Sequence, residues 1–224
     1  MAQATRRRRM PAAQRRTVIL TAAEASFAAS GYHGASLDDI AHAAGVSKAL
    51  IYEHFVSKRE LHGSLLDAHA AEIFRRLEAA AERGETGEQR LRNGIDSFLR
   101  YVEEHREAWR ALFRDAADPD VVALVTRVQA QATGVIARLI AADPEAPANL
   151  AADGEDRDLR IEVHAQLLSG AVQSLATWWH EHQEIPRAVL VDRAMEFCWH
   201  GAPADVAAPA ATAPRDVPLS SPAR

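Results

Sequence analysis

The stretch from Ser36 to Leu61 constrains the fold of this chain more than any other part. It reads SLDDIAHAAGVSKALIYEHFVSKREL and predicts two short helices joined by a tight turn, followed by the start of a third. Ser36 is suited to cap the first helix, and Asp38 lies in its first turn, where the helix dipole favours negative charge. Gly45 ends this helix, because glycine adopts a left-handed backbone without steric cost. One apolar face recurs at helical spacing, formed by Leu37, Ile40, Ala41 and Ala44.

The second short helix runs from Lys48 to about His54 and is capped by Ser47. A small residue at Ala41, where two helices must cross closely, and a glycine at position 45, in a sharp turn, are what a helix-turn-helix requires. In such a unit the second helix enters the major groove of DNA. The stretch therefore predicts a DNA-binding unit.

Many spaced positions between about residues 12 and 66 resemble the DNA-binding domain of the tetracycline-repressor-like (TetR) family. They are Gly31-Tyr32, Ser36, Asp39-Ile40-Ala41, Ala44-Gly45-Val46-Ser47-Lys48, Ile51-Tyr52, His54-Phe55 and Ser57-Lys58-Arg59-Glu60-Leu61. The chain departs from the family pattern at Ala49 and Leu50, where many members carry glycine or proline and then a small hydroxyl residue. It departs again at Glu53, which in other members is often histidine or another neutral or basic residue.

The resemblance implies an all-α homodimer of about nine helices that represses transcription until a small hydrophobic ligand enters its second domain. We expect a flexible basic arm at residues 1–11, a helix-turn-helix domain at 12–57, a ligand-binding and dimerisation domain at 58–200 and a disordered tail at 201–224. The implied partner is double-stranded DNA with a near-palindromic operator. The expected DNA-binding residues are Ser36, Ser47, Lys48, Ala49, Tyr52, His54 and Lys58, together with Arg6, Arg7, Arg8 and Arg9 of the arm.

The net charge of −5 is unevenly distributed, because the N-terminal part of the chain, called the head below, is basic and the remainder is acidic. Up to residue 62 the chain holds nine Lys and Arg against five Asp and Glu, which leaves about +4, and the rest holds 17 against 26, which leaves about −9. This distribution suits a protein whose first domain alone meets phosphates.

The two ends of the chain differ in composition from the rest. The arginines of the arm either reach into the minor groove beside the main contact or form a solvated tail that adds only non-specific attraction. Paired arginines before an apolar stretch also resemble an export signal, but Glu24 interrupts that stretch, so we disfavour export. Five of the ten prolines fall after Gly201, a composition that cannot bury enough apolar surface to order the tail.

Helical periodicity continues through the second domain. A fourth helix from Lys58 to about Arg83 links the two domains, and Gly84 and Gly87 then interrupt the pattern. A fifth helix near 91–102, a short sixth at 109–113, a long seventh at 121–140, an eighth at 159–182 and a ninth at 186–200 follow, with a loop at 142–155. The last two helices carry more apolar residues than one core face needs, so they are expected to form the dimer as a four-helix bundle.

Aromatic and polar side chains of this second domain are the candidates for the ligand site. A mostly apolar cavity with a few polar anchors is the usual form of a small-molecule site. The candidates are Phe98, Tyr101, His105, Trp109, Phe113, Gln129, His164 and Trp178. The expected ligand is hydrophobic or aromatic, bound between the fifth to eighth helices. The alternative is that these aromatics simply fill a core.

Other chemistry finds little support in the sequence. The single cysteine, Cys198, excludes an internal disulfide and fits a cytoplasmic protein. His62 and His69 share a helix face, but two ligands make no metal site without further donors. No nucleophile elbow, phosphate-binding glycine loop or dinucleotide motif occurs, so neither enzyme activity nor a cofactor is expected. No apolar run reaches the ~18 residues of a membrane span.

Two other functions remain open at this point. The chain could be a DNA-binding dimer without an effector, which a second domain lacking a cavity would favour. It could also be a helical protein-interaction module with an incidentally basic head, which an absence of salt-sensitive DNA binding would favour.

Overall fold

The computed structural model describes residues 11–111, 119–143 and 155–200. In these ranges the chain forms nine α-helices and no strand, which confirms the expected all-α fold. The helices are α1 (Ala12–Gly34), α2 (Leu37–Ala43), α3 (Lys48–His54), α4 (Lys58–Glu82), α5 (Gly87–Glu104), α6 (Arg106–Trp109), α7 (Pro119–Ala142), α8 (Glu155–Trp179) and α9 (Arg187–His200). No helix in the described part is long and apolar enough to cross a membrane.

Several helix boundaries differ from the sequence-based ones. The eighth helix begins at Glu155 and ends at Trp179, so the predicted range 159–182 lies about one turn too far towards the C-terminus. Helix α6 has only four residues, and the predicted continuation through Leu112 and Phe113 lies outside the described residues. The basic arm, most of the predicted 142–155 loop and the C-terminal tail also lie outside them.

Two glycines shape the first domain because their backbones have positive φ angles. Gly31 has φ 68° and ψ 176°, so the regular helix α1 is interrupted there and the chain turns towards α2. Gly45 has φ 64° in the turn between α2 and α3. Both conformations would strain any residue with a Cβ atom, which explains why glycine stands at both points.

The helices enclose two hydrophobic clusters that meet along α4. The first joins α1, α2 and α3 to the N-terminal half of α4 and to α7, and it contains Ile19, Phe27, Ile40, Ile51, Phe55, Leu61, Leu66, Val121 and Val125. The second joins the C-terminal half of α4 to α5, α8 and α9, and it contains Ile73, Ile95, Leu99, Trp109, Val172, Trp179, Leu190 and Met195. Helix α4 therefore belongs to both cores, although the expected domain boundary lies at its first residue.

Candidate DNA-binding head and ligand cavity

The helix-turn-helix is held by side-chain caps at both of its helices. The Ser36 hydroxyl oxygen accepts a hydrogen bond from the Asp39 amide at 3.1 Å, and the hydroxyl itself donates to the Asp39 carboxylate at 2.6 Å. Ser47 accepts from the Leu50 amide at 3.2 Å. A hydroxyl has only one proton to donate. That of Ser36 is therefore engaged within the helix, whereas that of Ser47 has no acceptor in the described part of the chain, and its contact with DNA stays a prediction.

Helix α3 presents a polar outer face and an apolar inner face. Ile51 is fully buried in the first core, and it fixes the rotation of the helix. Tyr52, the next residue, is half exposed, and Glu53 is also exposed. His54 is more enclosed, and its Nε2 atom lies buried without a hydrogen-bond partner in the described part of the chain. Lys48 and Ala49 are exposed as well. The face of α3 that would meet the DNA groove therefore includes the expected residues Lys48, Ala49, Tyr52 and His54, and the expected Ser47 lies at its start.

Lys48 is already paired within the head. Its Nζ atom lies 2.8 Å from the Asp38 carboxylate, and both side chains are largely exposed. Hydrogen bonding to Asp38 raises the pKa of Lys48, and the charge attraction of the same residue adds to this. Such an exposed pair contributes little net stability, so a DNA phosphate can replace Asp38 as the partner.

Lys58 is held by the connection between α1 and α2. Its ammonium donates to the carbonyls of Tyr32 at 2.8 Å and Ala35 at 3.1 Å, and it lies 4.7 Å from the centre of the Tyr32 ring. These contacts fasten the first turn of α4 to the entrance of α2. In the free protein Lys58 therefore stabilises the connection between α1 and α2, and its contact with DNA phosphate stays a prediction.

His62 lies one turn further along α4, directly beneath this connection. The residue is fully buried, and its ring packs edge-on against Phe27 and Tyr32 with centroid distances of 5.0 and 5.1 Å. Neither ring nitrogen has a hydrogen-bond partner in the described part of the chain. Burial lowers the pKa of His62 to about 4, with a smaller effect from the Lys58 charge, so the ring is neutral at pH 7.

A cavity of about 790 Å³ lies within the second domain. Its walls come from α4, α5, α7, α8 and α9, with Trp109 of α6 at one side, and most of the surrounding side chains are aliphatic or aromatic. Central members of this wall are Ile73, Phe74, Leu77, Leu91, Ile95, Phe98, Val128, Ile136, Leu139, Ile140, Leu168 and Val172. The volume falls in the range of cavities that hold small-molecule ligands.

Polar groups occur at a few points of the cavity. At one end the Arg90 guanidinium binds the Asp143 carboxylate through two hydrogen bonds of 3.0 and 2.5 Å, and it also donates to the Gly84 and Glu85 carbonyls. His164 lies in the wall with Nδ1 2.8 Å from the Arg160 carbonyl oxygen. That bond requires a proton on Nδ1, which leaves Nε2 of the neutral ring as an acceptor.

The expected ligand residues are divided between the cavity and other places. Those that line it are Phe98, Trp109, Gln129 and His164. Tyr101 and His105 do not line it, because their side chains pack around His69. Trp178 is 44 % exposed on the outer side of α8, where its ring stacks on His182 at 3.9 Å. Phe113 lies outside the described residues.

The cavity also uses residues that the sequence analysis did not select. Arg90 and Asp143 are 53 positions apart and come together only through the fold. Gly94 lines the wall from α5, where an added Cβ would meet only Leu77 at 3.9 Å. The aliphatic residues of α7 were assigned only to a helix, because no signal in the sequence separates a core face from a cavity wall.

An exposed apolar stripe runs along α8 and continues onto α9. Leu159, Val163 and Leu167 follow one another at four-residue spacing with exposures of 58, 46 and 66 %. Gly170 and Trp178 extend the same face. Phe197 adds a ring from α9 that is 59 % exposed. Large apolar side chains that remain exposed in a continuous row are typical of a surface that is buried in an assembly.

Comparison with known proteins matches both halves of the chain. Residues 19–65 match the family model for bacterial regulatory proteins of the tetR family, and residues 88–201 match the model for the tetracyclin repressor-like C-terminal domain. The HTH-type transcriptional activator FasR of Mycolicibacterium smegmatis is 29 % identical over 195 residues, which cover 86 % of this chain and 85 % of that protein.

Solved structures with the same fold cover most of the chain. A TetR-like transcriptional regulator from Rhodococcus sp. RHA1 superposes with a TM-score of 0.67 at 27 % identity, covering 86 % of this chain and 98 % of the other. The regulator FadR from Bacillus subtilis, solved in complex with stearoyl-CoA, superposes with a TM-score of 0.69 at 18 % identity. That match covers 83 % of this chain and 98 % of the other, and it shows the shared fold alone.

Proposed function

The chain belongs to the TetR family of DNA-binding transcriptional regulators, and from this we propose that it is a homodimeric repressor that leaves its operator when a long hydrophobic ligand fills the cavity. One observation carries the proposal. The cavity of about 790 Å³ is bounded by the C-terminal half of α4, and the N-terminal half of the same helix belongs to the core of the DNA-binding head. A ligand in the second domain therefore touches the element on which the head rests.

The dimensions of the cavity favour an elongated ligand. Along α4 the lining extends from Ala70 to Glu82, a rise of about 18 Å at 1.5 Å per residue. Most lining side chains are apolar, and the charged pair Arg90–Asp143 lies at one end. An extended hydrocarbon chain with a polar or anionic end group fits this arrangement. The same fold holds stearoyl-CoA in FadR of Bacillus subtilis, which makes that compound a suitable first probe.

The coupling would act through a shift of α4 and α7. Both helices line the cavity, and both contribute to the first core through residues such as Leu66 and Val125. A ligand can change DNA affinity only if it binds one arrangement of the heads more tightly than the other. We infer that the filled cavity favours an arrangement in which the two α3 helices no longer match the spacing of the DNA grooves.

The dimer would form through the exposed apolar stripe of α8 and α9. Helix α9 is fixed to α5 by Arg187, which binds Asp96 at 2.9 Å and also Glu103, so α9 is held against the rest of its own chain. A two-fold dimer places two recognition helices about one DNA turn apart, ~34–36 Å or a multiple of that distance, so the operator should be a near-palindrome. Light scattering should find a dimer at micromolar concentration, and a monomer there would contradict this part of the proposal.

The DNA-binding part is tested by selection from a random DNA pool. We expect the selected fragments to share a near-palindrome, and the logarithm of the binding constant to fall with log salt by ~0.9 for each phosphate that a cation contacts. A flat salt response and no shared sequence would favour the alternative of a protein-interaction module.

The ligand part is tested by titrating stearoyl-CoA while recording tryptophan fluorescence, because Trp109 lies in the cavity wall. Gly94→Leu places a side chain inside the cavity and should weaken binding at least tenfold. Gly94→Ala is the matched control, since the added methyl group meets only Leu77 at contact distance and leaves most of the space. Equal affinity in both variants would show that the probe binds elsewhere.

Activation of transcription is a second candidate, because the relative FasR is named as an activator. The two functions share the cavity, the dimer and the operator, and they differ in the effect of the bound protein on the promoter. Transcription in vitro from a promoter that carries the selected operator separates them. We expect the ligand-free dimer to lower the transcript yield, and a rise in yield would establish activation.

A further inference from the structure

Three metal-ligating side chains meet at the junction of the two domains, away from the cavity. Glu24 comes from the middle of α1, His69 from α4, and His105 from the residue between α5 and α6. One ligand atom of each lies within 4.8 Å of those of the other two. The three residues are far apart in the sequence, so only the fold creates this group.

The distance between His69 and Glu24 is compatible with a shared metal ion. Nε2 of His69 lies 3.4 Å from Oε1 of Glu24, longer than the usual 2.7–3.2 Å range of an N–H···O bond. Two ligands bound to zinc at 2.0–2.1 Å with a tetrahedral angle stand roughly 3.4 Å apart. A ligand atom of His105 lies within 4.8 Å of those of the other two residues, so its side chain must move closer to complete the site.

Tyr101 holds the central histidine in the orientation that a metal ligand needs. Its hydroxyl bonds Nδ1 of His69, and this leaves Nε2 directed at Glu24. A ligating histidine typically donates its second ring N–H to a neighbouring oxygen, which fixes the ring and its tautomer. Tyr101 itself is buried, and the Arg76 guanidinium covers its ring at 5.1 Å, so the support is rigid.

We propose that Glu24, His69 and His105 bind a divalent transition-metal ion of the zinc type, with water as the fourth ligand. Two imidazole nitrogens and one carboxylate are a ligand set that zinc uses, whereas magnesium and calcium prefer oxygen donors alone. The Glu24 side chain is 34 % exposed and that of His69 is 10 % exposed, so an ion can enter from the Glu24 side.

The bound ion would fasten α1 to the ligand-binding domain. Helix α1 shares the first core with the recognition helix, and Arg110, which follows α6, donates to the Ala28 carbonyl of α1 at 3.1 Å. An ion that joins α1, α4 and the α5–α6 connection would restrict the tilt of the head. This regulation is independent of the cavity, because none of the three ligands lines it.

The test is a zinc titration of the full-length, tag-free, chelator-treated dimer, read by competition with a chromophoric chelator. We expect one zinc ion per chain. Glu24→Gln and His105→Gln should each weaken binding at least tenfold, and Tyr101→Phe about tenfold or more through loss of orientation. His182→Gln is the matched control, because His182 stacks on Trp178 and is not one of the three proposed ligands, so its removal should leave the zinc affinity unchanged.

Substitution with cobalt provides a readout that does not depend on affinity. A tetrahedral cobalt site gives strong visible absorption, which should appear in the wild type and in His182→Gln and disappear in His105→Gln. Circular dichroism establishes that each variant is folded. Failure of the wild-type dimer to bind zinc at micromolar concentration, or wild-type zinc affinity in both Glu24→Gln and His105→Gln, would overturn the proposal.

Discussion

Acidification should destabilise this protein through His62, and replacing that residue with phenylalanine should remove the effect. The His62 ring is fully buried against Phe27 and Tyr32, and no hydrogen bond to its nitrogens occurs in the described part of the chain. Phenylalanine retains the aromatic contacts and has no nitrogen to protonate. At pH 7 the variant should therefore be as stable as the wild type, within about 1.5 kcal/mol, the usual limit for a swap of similar volume.

The magnitude follows from the difference between the pKa values of the folded and unfolded chains. The folded pKa of His62 is lowered from the ordinary value of 6.5 to about 4. As the pH falls below 6.5, the unfolded chain binds a proton that the folded chain still excludes. This protonation stabilises the unfolded chain, so the free energy of unfolding decreases as the pH falls towards 4. Between pH 7 and pH 5 this loss is about 2 kcal/mol, because one pKa unit corresponds to about 1.4 kcal/mol.

Urea unfolding at pH 7 and pH 5, at one fixed protein concentration, measures this loss. Other groups also titrate, including His69, whose pKa is lowered by burial. The informative quantity is therefore the difference between the wild type and His62→Phe, which should be about 2 kcal/mol. His42→Phe is the control, because His42 is solvent-exposed in the same domain and its replacement should leave the pH dependence unchanged. An equal loss in the wild type and in His62→Phe would refute the reasoning.

Four further changes have defined expected results. Tyr52→Phe should weaken operator binding about fivefold, the equivalent of one net hydrogen bond of about 1 kcal/mol, and no change in a mobility-shift assay would remove Tyr52 from the interface. Gly94→Ala should raise the free energy of unfolding by roughly 0.5–1 kcal/mol, because alanine suits a helix interior better than glycine. Gly84→Ala should instead lower the free energy of unfolding by roughly 1–3 kcal/mol, since the new Cβ would lie 2.6 Å from Arg90. Thermal unfolding that finds Gly84→Ala more stable than Gly94→Ala would contradict the packing described. Deletion of residues 1–9 should reduce affinity most at A·T-rich flanks, where a narrow minor groove attracts arginine, and an equal loss on all flanks would mean that the arm acts only as a charged tail.

Local signals in the sequence predicted the head accurately. Ser36 and Ser47 each cap the helix that they were expected to begin, because capping depends only on residues within one turn. Gly45 adopts a positive φ angle at the expected end of α2 for the same local reason.

Side-chain directions in the second domain could not be predicted, because they depend on how the helices pack. Trp178 and Trp179 are adjacent, yet Trp178 is exposed and Trp179 is 2 % exposed, since successive residues of a helix point about 100° apart. Tyr101 lies one turn beyond the cavity-lining Phe98, and its hydroxyl turns towards His69 on another helix.

Contacts between residues that are far apart in the sequence could not be predicted from residue spacing within single helices. The sequence analysis paired His62 with His69, as residues of one helix face, and found too few donors for a metal. The fold instead isolates His62 in the first core and brings Glu24 and His105 to His69. Lys58 was expected at a phosphate on the basis of the family pattern, and its carbonyl partners are set by the path of the α1–α2 connection.

Reciprocal coupling between the cavity and the DNA-binding head tests the central claim most directly. The dissociation constant for a labelled duplex carrying the selected operator is measured by fluorescence anisotropy with and without saturating stearoyl-CoA. The dissociation constant for stearoyl-CoA is measured by tryptophan fluorescence with and without saturating operator. We predict that each ligand weakens binding of the other by the same factor, about 5–150-fold, as thermodynamic linkage requires. Binding of stearoyl-CoA in the cavity with no change in the operator dissociation constant would contradict the account.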